Sequence, residues 1–176
     1  MDRRVEGALL VLLALAITAA IYLLAGGSTA ERLLSYGYVG VALVMFMSSA
    51  TVILPAPGLA VVFAAGRFLD PLLVGLFAGI GAAFGELTGY MAGYGGRQAL
   101  ERSGRAGRIQ KWMERNGFLT IFVFAALPNP AFDVVGIAAG GLKYDVRKFL
   151  LAAAMGNIVK ASCMALLGEK ALGIFI

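Results

Sequence analysis

The chain has 176 residues, of which 60% are hydrophobic, and its mean hydropathy is +0.86. Soluble domains are about 45–50% apolar, so this composition points to the bilayer. Histidine is absent, Cys163 is the single cysteine, and the net charge is +5; these exclude an internal disulfide and a histidine-based triad, and leave no clustered metal ligands.

Arg3 and Arg4 precede an apolar run from Gly7 to Ala25. Its length predicts an N-terminal transmembrane helix over 1–27, and a cleaved signal peptide is the alternative reading. Residues 28–38 are expected to form a short interfacial helix, with Ser28 and Glu31 at capping-box spacing.

Residues 39–176 then form one membrane domain. Its first apolar stretch, 39–67, is interrupted by Pro55, Pro57 and Gly58. Two prolines and a glycine break a helix, and each flank is too short to cross 30 Å of hydrocarbon, so a re-entrant hairpin is predicted. Residues 71–94 read as a span, in which Gly81, Gly85 and Gly89 recur at four-residue spacing. That spacing predicts close helix packing in lipid. Residues 95–116 read as a basic loop, parts of which look helical: Arg97, Arg102, Arg105, Arg108, Lys111 and Arg115 oppose Glu101 and Glu114, a net +4. Charge confined to short loops orients membrane proteins, so nucleic acid is not an expected partner. A second broken stretch, 117–142, carries Pro128, Asn129 and Pro130, and a last span covers 149–168.

The two halves repeat each other. Leu54-Pro55-Ala56-Pro57 matches Leu127-Pro128-Asn129-Pro130, and Ala64-Ala65-Gly66 matches Ala138-Ala139-Gly140. Each half continues through a polar joint (Arg67/Asp70, Lys143/Asp145) into a full span. A hairpin returns to its own side while a span crosses, so the two hairpins enter from opposite faces. The predicted fold class is all-α integral membrane, an inverted repeat with two opposed re-entrant hairpins plus spanning helices, as in many secondary transporters. The positive-inside rule places the N-terminus, the basic loop and Lys143, Arg147 and Lys148 in the cytoplasm.

Glu86, Asp133 and Lys160 lie deep in apolar segments. A charge at a helix centre costs about 2.5–3.5 kcal/mol on insertion, so such groups pair or line a wet path. Two readings stay open: a Glu86–Lys160 or Asp133–Lys160 ion pair that only joins helices, or a path on which a carboxylate meets a proton or a cationic group. Asn129 is either a turn residue or a hydrogen-bonding group on that path. Helix ends exposed at a break favour anions such as phosphate.

The stretch Leu127-Pro128-Asn129-Pro130-Ala131-Phe132-Asp133-Val134-Val135-Gly136-Ile137-Ala138-Ala139-Gly140 resembles the signature of the DedA/VTT-domain (SNARE-associated Golgi protein-like) superfamily, in particular its vacuole membrane protein branch. Gly81-Ala82-Ala83-Phe84-Gly85-Glu86-Leu87-Thr88-Gly89-Tyr90 is similar to the family's glycine–acid–tyrosine segment, and Gly156-Asn157-Ile158-Val159-Lys160 to its last-helix element. The resemblance spans about 36–170. It implies two facing hairpins and lipid transport, with membrane phospholipids or a polyprenyl-phosphate lipid as partner, no cofactor and no enzymatic step. It adds Tyr90 to a substrate path of Glu86, Asp133, Lys160 and Asn129. Many bacterial members carry arginines in the second hairpin and an acid before the first prolines. Ala125–Asp133 contains no arginine here, and Ser48, Ser49 and Thr51 precede Pro55.

The expected function is therefore an energy-independent phospholipid scramblase or lipid flippase in a membrane, the prokaryotic inner membrane being the expected site. The alternatives are a proton- or ion-coupled small-solute transporter and a non-transporting scaffold. The oligomeric state stays open, a homodimer included.

Overall fold

The computed structural model describes residues 36–50, 58–95, 106–128 and 132–173, and among these every regular element is a helix. The elements are α1 (Gly37–Ala50), α2 (Gly58–Phe68), α3 (Pro71–Gly95), α4 (Ala106–Ala126), α5 (Phe132–Gly141) and α6 (Val146–Gly173). The expected N-terminal helix (1–27) and most of the expected interfacial helix (28–38) lie outside the described residues.

Two helices, α3 and α6, are long and apolar enough to cross a membrane. At 1.5 Å per residue they extend roughly 37 and 42 Å, against about 30 Å of hydrocarbon. By the same measure α1, α2 and α5 reach only about 15–21 Å, too short to cross alone. Both long helices send apolar side chains outward at helical spacing: Leu73, Leu76, Ile80 and Phe84 from α3, and Leu151, Met155 and Val159 from α6. Their inward faces are small residues instead. Ala78, Ala82 and Ala83 are buried on α3, and Ala152, Ala153, Ala161 and Ala165 on α6. A lipid-facing stripe around a small-residue interior is the pattern for helices that associate without a hydrophobic drive between them.

Several glycines are required because a neighbouring backbone occupies the place of a Cβ. Gly81 lies against the Ala42 carbonyl and Gly85 against the Phe46 carbonyl, which sets α1 along α3. Gly75 meets Ser162 and Gly79 meets Ile158, so α3 and α6 cross running in opposite directions. The shorter helices pack onto the other half. Gly66 of α2 abuts the Ala165 carbonyl of α6, and Gly140 of α5 abuts the Tyr90 carbonyl of α3. Likewise Gly168 abuts the Phe63 carbonyl and Gly93 the Ile137 carbonyl. The corresponding residues (63 and 137, 66 and 140, 90 and 165, 93 and 168) are 74 or 75 positions apart. Exchanging the halves therefore maps these contacts onto themselves.

The joints repeat as well. Asp70 Oδ1 accepts from the Leu72 and Leu73 amides at 3.0 Å each, and Asp145 Oδ1 from Arg147 and Lys148 at 2.9 and 3.0 Å. Each aspartate is an N-cap, and Pro71 occupies the first helical position, where no amide partner is lost. This cap explains why α6 begins at Val146 rather than at residue 149: Arg147 and Lys148 occupy its capped first turn. α2 folds back on α1, with the Asp70 amide donating to Tyr38 Oη (3.3 Å) and Gly58 packed on Met45 and Ser48.

The basic segment, parts of which the sequence reads as helical, is helical from Ala106 onward. Asn116 (φ −156°, ψ 73°) interrupts α4, separating its basic first part from its apolar second part. Trp112 and Phe124 lie with ring centroids 6.1 Å apart; a straight helix would place them about 18 Å apart along its axis. At the end of α5, Lys143 takes a left-handed φ of 54°. The Lys143 amide bonds to the Gly140 carbonyl and the Tyr144 amide to that of Ala139, a Schellman closure in which glycine is the usual occupant.

Removing the cap with Asp70→Ala is expected to cost about 1 kcal/mol in chemical denaturation in detergent. The Asp145 carboxyl is held below the ordinary carboxylate range, chiefly by the Lys148 amide; desolvation opposes this, and the Arg147 amide and both side-chain charges add to the lowering. A depressed folded value means that its contribution is complete above about pH 4. It is lost as pH falls from there through the folded value. Denaturation midpoints measured across that range should fall more steeply in wild type than in Asp145→Asn.

Candidate functional site

Glu86 lies on the inward face of α3 with Ala82, Gly85 and Gly89, and is 8% exposed. A carboxylate removed from water needs compensating hydrogen bonds. They come from the other long helix: Asn157 Nδ2 donates to both Glu86 oxygens at 2.9 Å. The same amide also donates to the Ala153 carbonyl, 3.0 Å away and one turn back on α6. Asn157 is fully buried, and its Oδ1 has no partner among the described residues.

Two further charges face this pair. Asp133, in the first turn of α5, is half-buried, where the positive end of the helix dipole favours an anion. Lys160 lies one turn beyond Asn157 on α6, partly buried, and its charge acts on both Glu86 and Asp133. No contact ion pair joins Lys160 to either carboxylate among the described residues. The expected Glu86–Lys160 or Asp133–Lys160 pair is thus replaced by a looser group of three charges, in which a neutral amide holds the most buried one.

Beside the group lies a cavity of about 10 Å³, lined by Ser49, Glu86, Gly89, Phe132, Asp133 and Gly136. Space of this size admits about one water. It lies among α1, α3 and the start of α5, so the second break ends at its wall. Gly89 differs from Gly81 and Gly85 here. Among the described residues nothing lies within 4 Å of where its Cβ would be, so it borders the cavity rather than a helix contact. Gly136 faces it with ordinary contacts to the α3 backbone, the nearest at 3.8 Å.

The other expected site residues are distributed as follows. Tyr90, one turn after Glu86, points away from the cavity lining: its Oη donates to the Tyr144 carbonyl at 2.5 Å and its ring packs on Phe149 with centroids 5.0 Å apart. Gly58 opens α2, and Pro128 lies two residues beyond α4. Asn129, Pro130, Pro55, Pro57, Arg97, Arg102 and Arg105 lie outside the described residues, as does the side chain of Arg108. Lys111 is exposed on the first part of α4. Asn157 and Ser49 are not among the path residues expected from the sequence, although the last-helix element contains Asn157 and Ser49 precedes Pro55. Asn157 carried a usable signal, being a polar side chain in an apolar run three positions before Lys160, on the same helix face. Among the described residues no group of three or more His, Cys, Asp or Glu side chains could hold a metal ion.

A family model, the VTT domain, matches residues 55–170. The chain belongs to the VTT-domain family. This agrees with the DedA/SNARE-associated resemblance at the level of the superfamily. No curated protein and no solved structure matches the chain. The VTT domain contains Glu86, Asp133, Asn157 and Lys160, whereas Ser49 on α1 precedes the matched stretch. With its two helices of spanning length, the VTT domain marks a membrane protein.

Loss of the Tyr90 hydroxyl in Tyr90→Phe removes the tie between α3 and the joint before α6. It is expected to cost about 1 kcal/mol in denaturation, with the fold retained.

Proposed function

We propose that this VTT-domain protein moves polar lipid headgroups across a membrane, as an energy-independent phospholipid scramblase or lipid flippase. The observation that carries the reading is the Glu86–Asn157 pair. It places a carboxylate and an amide between the two spanning-length helices, with Asp133, Lys160 and a small cavity beside them. A polar cluster at that depth is costly to keep in a protein that only needs to anchor. Two carboxylates and an ammonium group offer partners to both the anionic and the cationic part of a headgroup, while acyl tails remain in lipid. The partner is a membrane phospholipid or a polyprenyl-phosphate lipid.

The exchange of contacts between halves supports an inverted repeat with two opposed re-entrant hairpins. When corresponding residues contact each other's partners, a local two-fold axis relates the halves. Because α3 and α6 run in opposite directions, that axis lies across the helices, which in a bilayer means in the membrane plane. The helix pair α1 and α2 and the pair formed by the apolar part of α4 with α5 then enter from opposite faces, with the basic part of α4 on the cytoplasmic side. Kinship to the vacuole membrane protein branch rests on the motif at 127–140 and favours passive scrambling. A proton- or ion-coupled transporter is the second reading, favoured by the depth of Glu86 and Asp133.

The test uses purified protein in liposomes containing a fluorescent phospholipid, with an impermeant quencher added outside. Scrambling carries the loss of signal well past half, and Glu86→Gln and Asp133→Asn each slow it. Quenching that stops at half for several headgroups overturns the reading. A proton-gradient requirement moves the coupled transporter ahead.

The two glycines provide a control against a scaffold. Gly85→Ala drives a methyl into the Phe46 carbonyl and is expected to destabilise by about 1–3 kcal/mol. Gly89→Ala enters open space beside Glu86, so the denaturation midpoint stays within about 1 kcal/mol of wild type while the scrambling rate falls. Unchanged transport in Gly89→Ala would detach the cavity from the path.

A further inference from the structure

Glu86 and Lys160 are groups of opposite charge type in an interior of low dielectric, where attraction between them is strong once both are ionised. Both lie among the same helices, and each feels the other. Yet Glu86 makes its two hydrogen bonds to Asn157, which lies one turn from Lys160 on the same helix. The amide is not free to choose another orientation, because the Ala153 carbonyl takes a third contact from the same nitrogen. This arrangement leaves the Asn157 Oδ1 buried with no partner among the described residues. Buried acceptors in native interiors are ordinarily satisfied. A residue present only to fill space between α3 and α6 would be apolar and would leave no such atom.

We propose that Asn157 is a positioning residue that holds Glu86 out of an ion pair with Lys160, so that both charges remain available to a passing headgroup. The inference rests on Glu86 lying on the transport path. Without Asn157 the carboxylate swings to Lys160 and the two charges neutralise each other, so that neither is presented at the cavity beside Glu86 and Asp133. Asn157 touches no substrate in this mechanism and acts through Glu86 alone.

Action through Glu86 alone has a signature that a packing role lacks. Scrambling rates are measured in proteoliposomes for wild type, Asn157→Leu, Glu86→Gln and the double variant. Asn157→Leu is expected to slow scrambling at least about fivefold, and the double variant to be no slower than Glu86→Gln alone, since coupled neighbours are non-additive. A double variant whose loss is the product of the two single losses overturns the proposal. If wild type does not scramble, the transport reading fails, and infrared spectroscopy of the same proteoliposomes still decides the role of Asn157. The Glu86 carboxyl band is identified as the difference between wild type and Glu86→Gln. It must move in Asn157→Leu, and a band that stays in place overturns the proposal. Asn157→Asp, of the same size but without the amide donors, replaces Asn157→Leu in both measurements if the leucine variant does not fold.

Discussion

The arrangement of this protein depends on giving a buried carboxylate a partner that does not consume it. Glu86 is the single charged residue of a helix that is otherwise mostly apolar. It can remain there only because the second long helix brings Asn157 within hydrogen-bonding distance of both oxygens. That meeting requires α3 and α6 to approach closely, and the approach requires Gly75 and Gly79, whose missing side chains admit Ser162 and Ile158. The small-residue interior and the polar site are therefore a single requirement: larger residues at the crossing would separate the carboxylate from the amide.

The glycines divide by what they face. Gly66, Gly81, Gly85, Gly93, Gly140 and Gly168 meet backbone carbonyls and leave no room for a methyl group. A Cβ on Gly89 would meet nothing within 4 Å among the described residues, and Gly89 borders the cavity. Periodicity in the sequence treats Gly81, Gly85 and Gly89 alike, because four-residue spacing specifies a helix face but not what lies opposite it. The turn of α3 at Gly89 passes the end of α1 and faces the start of α5, and the space between them is what remains open.

The repeat has consequences beyond resemblance between halves. α2 packs on the long helix of the second half and α5 on that of the first, so each half is completed by the other. The polar group also draws on both halves, with Glu86 from the first and Asp133, Asn157 and Lys160 from the second. It is not itself symmetric: the position 75 after Glu86 is Ala161, and the position 75 before Asn157 is Ala82. A symmetric frame thus carries an asymmetric site, which lets the frame keep its repeated contacts while one set of positions is free to hold charge.

Much of this was determined by the sequence alone. Run lengths fixed which helices are long enough to reach across a bilayer, and the matched motifs pointed to the correspondence of the halves. Each of these is a local or composition-level property of the chain. Three buried charges in apolar runs were legible for the same reason. Their partners were not, because pairing across 71 positions is decided by how two helices cross, not by spacing along either one. Tertiary structure chose Asn157 over Lys160 as the partner of Glu86, gave Tyr90 to the joint before α6, and separated Gly89 from Gly85. It also set where the helix of the basic segment begins and where it is interrupted, at Asn116. In each case the outcome depends on which backbone or side chain arrives from a distant element to occupy, or to leave open, the few ångströms beside the residue.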